Sequence, residues 1–251
     1  MGRSYSIPAL LLVIFLVAIW LAYPAAGVPI LAYHMVSDEP EVYSVNQGDF
    51  ETQMRYLAEQ GYAAISLAEL FDAAAGKAAL PARPVIITFD DGYEDNYSSA
   101  LPIMEKYGMK ATVFVIAGSV GQPGYLSWQQ IQDMHNRHTE IGSHTMTHVA
   151  LNELTPPDLI REVVESKTLL EENLHVPVDF LAYPYGQFNT AVKETLRQAG
   201  YRGACSGIAG LNLWGGDPYA LKRVNIPRPR YGLWEFRLRL LRASVYSKLG
   251  I

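Results

Sequence analysis

A closed or nearly closed barrel of parallel strands with helices outside is the fold this sequence predicts, and three observations carry the expectation. Apolar runs of strand length alternate with amphipathic helical stretches, the pattern of β/α units. The residues with chemistry to offer fall at the C-terminal ends of those runs, where a parallel barrel gathers its reactive groups. No repeat or low-complexity linker divides the 251 residues, 49% of them hydrophobic, a length ordinary for a one-domain α/β barrel.

The first segment stands apart from that alternation. From Ile7 to Gly27 no residue is charged, and Pro8 to Leu21 is nearly continuous hydrocarbon. A spanning helix needs about 20 apolar residues. The segment therefore reads as an N-terminal transmembrane signal anchor, with Arg3 on its short side directing the remainder outward. A cleaved signal peptide is the alternative, although Pro24 makes an Ala26/Gly27 cut a poor match. The lack of a polar face argues against a buried core helix. Residues 1–27 are thus anchor or signal, and 28–251 form one domain.

The elements follow in order. Pro29 to His34 reads as a buried strand. Asp49 is placed to cap a helix with Phe50, Met54 and Leu57 on one face, ended by Gly61. Ser66-Leu67-Ala68-Glu69 is a capping box opening a short helix. Val85 to Phe89 is a strand, a helix around 95–107 stops at Gly108, and Ala111 to Ile116 is the next strand. Ser127 caps a helix, and Glu140-Ile141-Gly142 is strand-like. Thr155-Pro156-Pro157-Asp158 starts a helix with prolines in its first turn. Phe180 to Tyr183 is a strand, Asn189 caps a helix ending at Gly200, and Gly203 to Cys205 and Leu221 to Val224 suggest two more strands. Leu233, Trp234, Phe236, Leu238 and Leu241, mixed with Arg237, Arg239 and Arg242, read as a last amphipathic helix on the barrel; contact with anionic lipid is the other reading of that tail.

Two strand ends carry the strongest motifs. Ile86 to Phe89 delivers Asp90-Asp91-Gly92, and Glu140 to Gly142 leads to His144-Thr145-Met146-Thr147-His148. Adjacent residues on a strand face opposite ways, so both carboxylates serve one point only if the chain turns, which Gly92 permits. His144 and His148 reach one ion across a helical turn or a tight loop. Two imidazoles and a carboxylate suit zinc with a position left for water, and the second carboxylate is free to act as base. In isolation Asp-Asp-Gly is an ordinary turn and the histidine pair a weak signal; their pairing at strand ends is what carries force. His135 and His138, similarly spaced, read as a solvated helix end. At a third strand end, Ala182-Tyr183-Pro184-Tyr185-Gly186, the Tyr185 N–H could face a developing oxyanion, or the segment is a Pro-Gly turn among core aromatics. Tyr93, Tyr125, Trp128 and Trp214 are candidate sugar-stacking faces or packing.

Thr88-Phe89-Asp90-Asp91-Gly92, His144-Thr145-Met146-Thr147-His148 and Tyr183-Pro184-Tyr185-Gly186 resemble the first three motifs of the polysaccharide deacetylases (NodB homology domain, carbohydrate esterase family 4). The resemblance runs from Pro29 to Val224. It implies a distorted barrel of about seven β/α units, a divalent metal, usually zinc, and removal of acetyl groups from N-acetylated sugars in polymers. Carried over by motif, Asp90 is the general base, Asp91, His144 and His148 hold the metal, and the Tyr185 N–H helps hold the oxyanion. Many members use a histidine from a late Leu-x-His motif as the acid, and no histidine follows His175 here. The chain resembles the branch of poly-N-acetylglucosamine deacetylases (PgaB- and IcaB-like), in which an N-terminal Tyr-His segment supplies that group, which here is His34. Many relatives also carry an arginine at the position of Ala182 to orient the base. Arg223, from the late strand, is the candidate replacement. Tyr93, Trp128 and Arg223 are the expected substrate contacts.

Composition narrows the partners. A net charge of −5 without a Lys/Arg-rich run argues against nucleic acid. The single cysteine, Cys205, excludes an intramolecular disulfide and a cysteine-based zinc site. The expected enzyme is a membrane-anchored, extracytoplasmic N-deacetylase of a poly-N-acetylglucosamine-like polymer. Peptidoglycan, chitin oligomers or acetylated xylan are alternative substrates, and a catalytically inactive carbohydrate-binding module is the alternative of another class.

Overall fold

The computed structural model describes residues 7–22, 27–213 and 215–249. Its strands are β1 (Ile30–Tyr33), β2 (Ala63–Ala64), β3 (Pro84–Phe89), β4 (Thr112–Val115), β5 (Glu140–Ser143), β6 (Phe180–Ala182), β7 (Gly203–Ala209) and β8 (Leu221–Asn225). All pairings between them are parallel. β1 closes the ring, with Ile30 opposite Ile86 on one side and Leu31 opposite Val224 on the other. Seven strands make the closed barrel, and β2 is added outside on β3.

Period-two alternation sorts the strand residues into two cores. Ile30, Ile86, Phe114, Phe180, Cys205 and Leu221 pack in one cluster. Their neighbours Leu31, Ile87, Val113, Leu181, Ala204 and Val224 belong to the larger cluster shared with the helices. Parity has a functional consequence. Continuing the first set two residues at a time toward the C-terminal ends arrives at His34, Asp90, Ala182 and Arg223.

The helices are α1 (Ile7–Ala22), α2 (Gln47–Glu59), α3 (Leu67–Ala74), α4 (Leu101–Lys106), α5 (Trp128–Asn136), α6 (Pro156–Leu174), α7 (Thr190–Gln198) and α8 (Leu233–Leu249). The capping boxes at Ser66 and Ser127 and the Asn189 cap form as the local sequence dictates. The cap of α2 differs from expectation. Asn46, not Asp49, is the N-cap, and Asp49 sits three residues in, donating its N–H to Asn46 Oδ1. Either side chain can cap, and starting at Asn46 gives the helix an extra turn whose end Asp49 complements as a negative charge. The helix expected over 95–107 opens with a π turn, Asn96–Ala100, before α4. In α8, Phe236 and Ala243 are buried, with the Phe236 ring 6.1 Å from that of Tyr56 on α2. Trp234, Leu238 and Leu241 on its outer side are exposed.

The expected membrane span is not shown among the described residues. α1 has 16 residues, about 24 Å at 1.5 Å per residue against a hydrocarbon layer of about 30 Å. Among the described residues no helix is long and apolar enough to cross a membrane. Residues Leu10 to Val17 of α1 are exposed, so it is not a core helix either. Arg3, Pro24 and Ala26 lie outside the described residues, as does Trp214.

Candidate metal and catalytic centre

At the C-terminal ends of the strands a cavity of about 370 Å³ is lined by His34, Asp90, Asp91, His144, His148 and Arg223, with Tyr43, Tyr183, Tyr185, Ser206 and Asn225 around them. The hollow at the opposite end, about 320 Å³, is lined by Leu70, Phe71, Leu211 and Leu221 among others. The only trio of metal-binding side chains found among the described residues lies in the first cavity.

The two carboxylates reach one cavity because the chain turns at Asp91 itself. Asp90 ends the β3 ladder, its N–H donating to Tyr33 O, and Asp91 adopts φ 72°, followed by Gly92 at 75°. Left-handed backbone is uncommon for a residue with a side chain, and aspartate tolerates it better than most. His144 follows β5, with its N–H on Val115 O. His148 returns to it over a tight loop in which Thr145 and His148 have φ of 67° and 59°. The Thr145 hydroxyl accepts the His148 N–H at 3.0 Å.

The donor atoms of Asp91, His144 and His148 lie within 4.8 Å of one another. Asp91 Oδ1 is 3.4 Å from His144 Nε2 and 3.3 Å from His148 Nε2. It is buried and has no hydrogen-bond partner among the described residues. His144 Nδ1 bonds Ala182 O at 2.7 Å, which leaves Nε2 toward the cluster. An orphaned carboxylate oxygen facing two imidazoles is what a divalent ion would satisfy, and one carboxylate with two imidazoles suits zinc. Burial lowers the His144 pKa to about 4 and also lowers that of His148, so both rings are neutral and able to ligate near pH 7. Burial and the adjacent Asp90 charge push Asp91 up to about 6.

Asp90 has a different environment. Burial would raise its carboxyl, but the Arg223 charge, with His144 and His34 nearby, outweighs this and holds it well below the usual carboxylate range. Arg223 Nη1 donates to Asp90 Oδ1 at 2.7 Å, and its Nε donates to Ser206 O. His34 Nε2 lies 4.0 Å from Asp90 Oδ2. The His34 carbonyl accepts from buried Asn96, and its ring packs on Tyr43 at 4.7 Å.

Tyr185 sits in a turn with φ 59°, and its neighbours' N–H groups close that turn by bonding Tyr183 O and Pro184 O. Its exposed ring meets His148 edge-on at 4.9 Å. Of the three expected substrate contacts, Arg223 lines the cavity, whereas Trp128 and Tyr93 do not. Arg223 is buried against Asp90 rather than presented to a ligand. Trp128 opens α5 and packs against the outer core. Tyr93 stacks on Tyr125 outside the cavity, and burial and Asp91 both raise its phenol pKa. His135 and His138 lie at the end of α5, away from the cluster. Cys205 is buried in β7, where burial raises its thiol to about 12. The sequence reading missed Tyr43, Ser206 and Asn225. Strand parity from Leu221 reaches Asn225, whereas Tyr43 lies in a loop with no periodic signal.

Residues 77–204 match the family model described as polysaccharide deacetylase. YxkH of Bacillus subtilis (strain 168), whose name places it with the polysaccharide deacetylases, is 34% identical over 201 residues, 80% of this chain and 72% of YxkH. The poly-β-1,6-N-acetyl-D-glucosamine N-deacetylase of Staphylococcus aureus (strain MRSA252) is 30% identical over 181 residues, 66% of this chain and 62% of that enzyme. Among solved structures, the Streptococcus pyogenes deacetylase PplD in complex with acetate superposes with a TM-score of 0.79 at 26% identity, covering 86% of this chain and 99% of that one. IcaB from Ammonifex degensii gives 0.77 at 27% identity, covering 88% and 98%.

Proposed function

Since the chain belongs to the polysaccharide deacetylase family, we propose that it hydrolyses the acetamide of N-acetylglucosamine units in an extracytoplasmic polymer of the poly-β-1,6-linked kind. The observation that carries this reading is the division of labour between neighbours. The Asp91, His144 and His148 donor atoms converge within 4.8 Å, while Asp90 is held aside by Arg223 and faces His34.

Asp91, His144 and His148 would hold a divalent ion, zinc by the chemistry of the donor set. When bound, it supplies Lewis-acid polarisation of the amide carbonyl and eases deprotonation of water. Asp90, kept ionised by Arg223, takes a proton from the attacking water as the new C–O bond forms. The Tyr185 N–H donates to the oxygen as it gains charge. An amide anion is too basic to leave, so His34 Nε2 gives a proton to nitrogen as the C–N bond breaks, releasing acetate and a free amine.

Two points favour the poly-N-acetylglucosamine class. The Staphylococcus aureus relative is named for that polymer, and the acid candidate lies in the N-terminal Tyr33-His34 segment rather than a late motif. The chain spans 62% of that relative's length. Export would be directed by the apolar segment containing α1, as signal or anchor. Acetate release from purified poly-N-acetylglucosamine and from peptidoglycan, side by side and with and without chelator, tests the proposal. Metal-dependent release from the first polymer above the second is the expected result. The reverse preference would reject the substrate class, and binding without release would reject the enzyme reading.

A further inference from the structure

We propose that Glu162 is a positioning residue for the metal centre, holding the loop that carries His148 from behind through its carboxylate. This rests on the reading that Asp91, His144 and His148 hold an ion. Glu162 lies on α6 and is 8% exposed. Its Oε2 accepts the backbone N–H groups of Met146 at 3.0 Å and Thr147 at 2.9 Å, and its Oε1 accepts the Thr147 hydroxyl at 2.6 Å. A buried carboxylate ordinarily sits beside a cation. Among the described residues Glu162 has no ion pair, and its carboxylate bonds Met146 and Thr147, which lie between the two histidines.

That loop needs holding. Thr145 and His148 both have left-handed backbone without being glycine, and a β-branched threonine is costly there. Without outside bonds, the segment would relax and move the His148 ring. One turn further along α6, the Ser166 hydroxyl meets Ser143 Oγ at 2.9 Å, which in turn accepts the Thr145 N–H. On the other side, Ala117 and Gly118 donate to the carbonyls of Thr145 and Met146. The carbonyl side of the loop is thus held by the segment after β4, and Glu162 holds the N–H side. Removal of the carboxylate takes the acceptor from the Met146 and Thr147 N–H groups, on the segment that sets His148 against Asp91 and His144.

The test uses the full chain as wild type, Glu162→Ala, Glu162→Gln and Thr147→Val. Zinc affinity is measured by competition with a chromophoric chelator, the visible spectrum of the cobalt-loaded protein reports ligand geometry, and metal-free thermal unfolding reports the fold. Glu162→Ala is expected to weaken zinc binding about 10–100-fold, as losing the support of a ligand does, and to alter the cobalt spectrum. Glu162→Gln is expected to recover most of the affinity, since its carbonyl oxygen can accept both N–H groups while its amide donates to the threonine hydroxyl. A role confined to stability would lower the metal-free unfolding temperature and leave the affinity of folded protein unchanged, and that result overturns the proposal. Should Glu162→Ala not fold, Thr147→Val decides. It removes only the hydroxyl bond, so weakened zinc binding with a shifted cobalt spectrum supports the proposal, and wild-type values overturn it. Failure of the wild type to bind zinc or cobalt at all would instead reject the metal reading on which the inference stands.

Discussion

Asp90 and Asp91 are chemically identical neighbours that the structure drives apart. One lies beside a guanidinium and is held below the usual carboxylate range; the other, buried without such a partner, rises to about 6. Arg223 is therefore the residue whose removal is most informative. In Arg223→Met, burial dominates at Asp90 and its pKa rises, so the acidic limb of kcat/KM moves to higher pH, by about 1–3 pH units. The stability effect has a defined sign. A folded value below the unfolded one adds stability above about pH 4, lost as pH falls through the folded value. Breaking this buried pair should also cost about 3–5 kcal/mol at neutral pH. A superimposable pH profile would reject the role. For His34, replacement by alanine should lower acetamide hydrolysis about 10²-fold or more. It should spare an aryl acetate, whose leaving group needs no proton. Equal losses on both substrates would remove His34 as the acid.

At the scale of elements, strand ends and the loops after them do the positioning. β7 breaks register between Cys205 and Ala209, which brings Gly207 against the turn holding Tyr185. A Cβ on Gly186 would lie 2.4 Å from Gly207 Cα, and Gly186 has φ 69°. Gly186→Ala must therefore push the two loops apart. It should cost about 1–3 kcal/mol of stability and lower kcat while zinc affinity stays near wild type, because neither loop carries a ligand. An unchanged kcat in the folded variant would detach the turn from catalysis. Trp128 belongs at this scale too. As the first residue of α5, packed on the core, it should affect unfolding temperature rather than KM when replaced.

For the whole molecule, the barrel's two cores are apolar and continuous without any ion, so metal should tune stability rather than create the fold. Ion present at 100 times its Kd adds about 2.7 kcal/mol, which for a domain of this size is a shift of about 5–10 °C in Tm. Chelation should lower Tm by that amount, preserve a cooperative transition and abolish acetate release, with zinc restoring both. Collapse of the transition on chelation would contradict this.

Much of this was legible because local physics decides it. Alternating periodicity set the β/α order, and Ser66, Ser127 and Asn189 announced helix starts that form as written. Asp90, Asp91, His144 and His148 stood out at strand ends, where a parallel barrel must put its chemistry. Other features depend on residues far apart in sequence, which no local pattern encodes. Arg223 reaches Asp90 across 133 positions, Tyr43 comes to His34 from a loop without periodicity, and Glu162 finds the His148 loop from the next helix. Trp128 illustrates the converse, an aromatic with the right chemistry in the wrong place. The sequence by itself determined the alternation, the caps and the identity of the reactive groups, since these follow from spacing and side-chain chemistry. Only the tertiary structure decided which carboxylate stays ionised and which side chains enclose the cavity, because burial and charge pairing exist only once the ring of strands has closed.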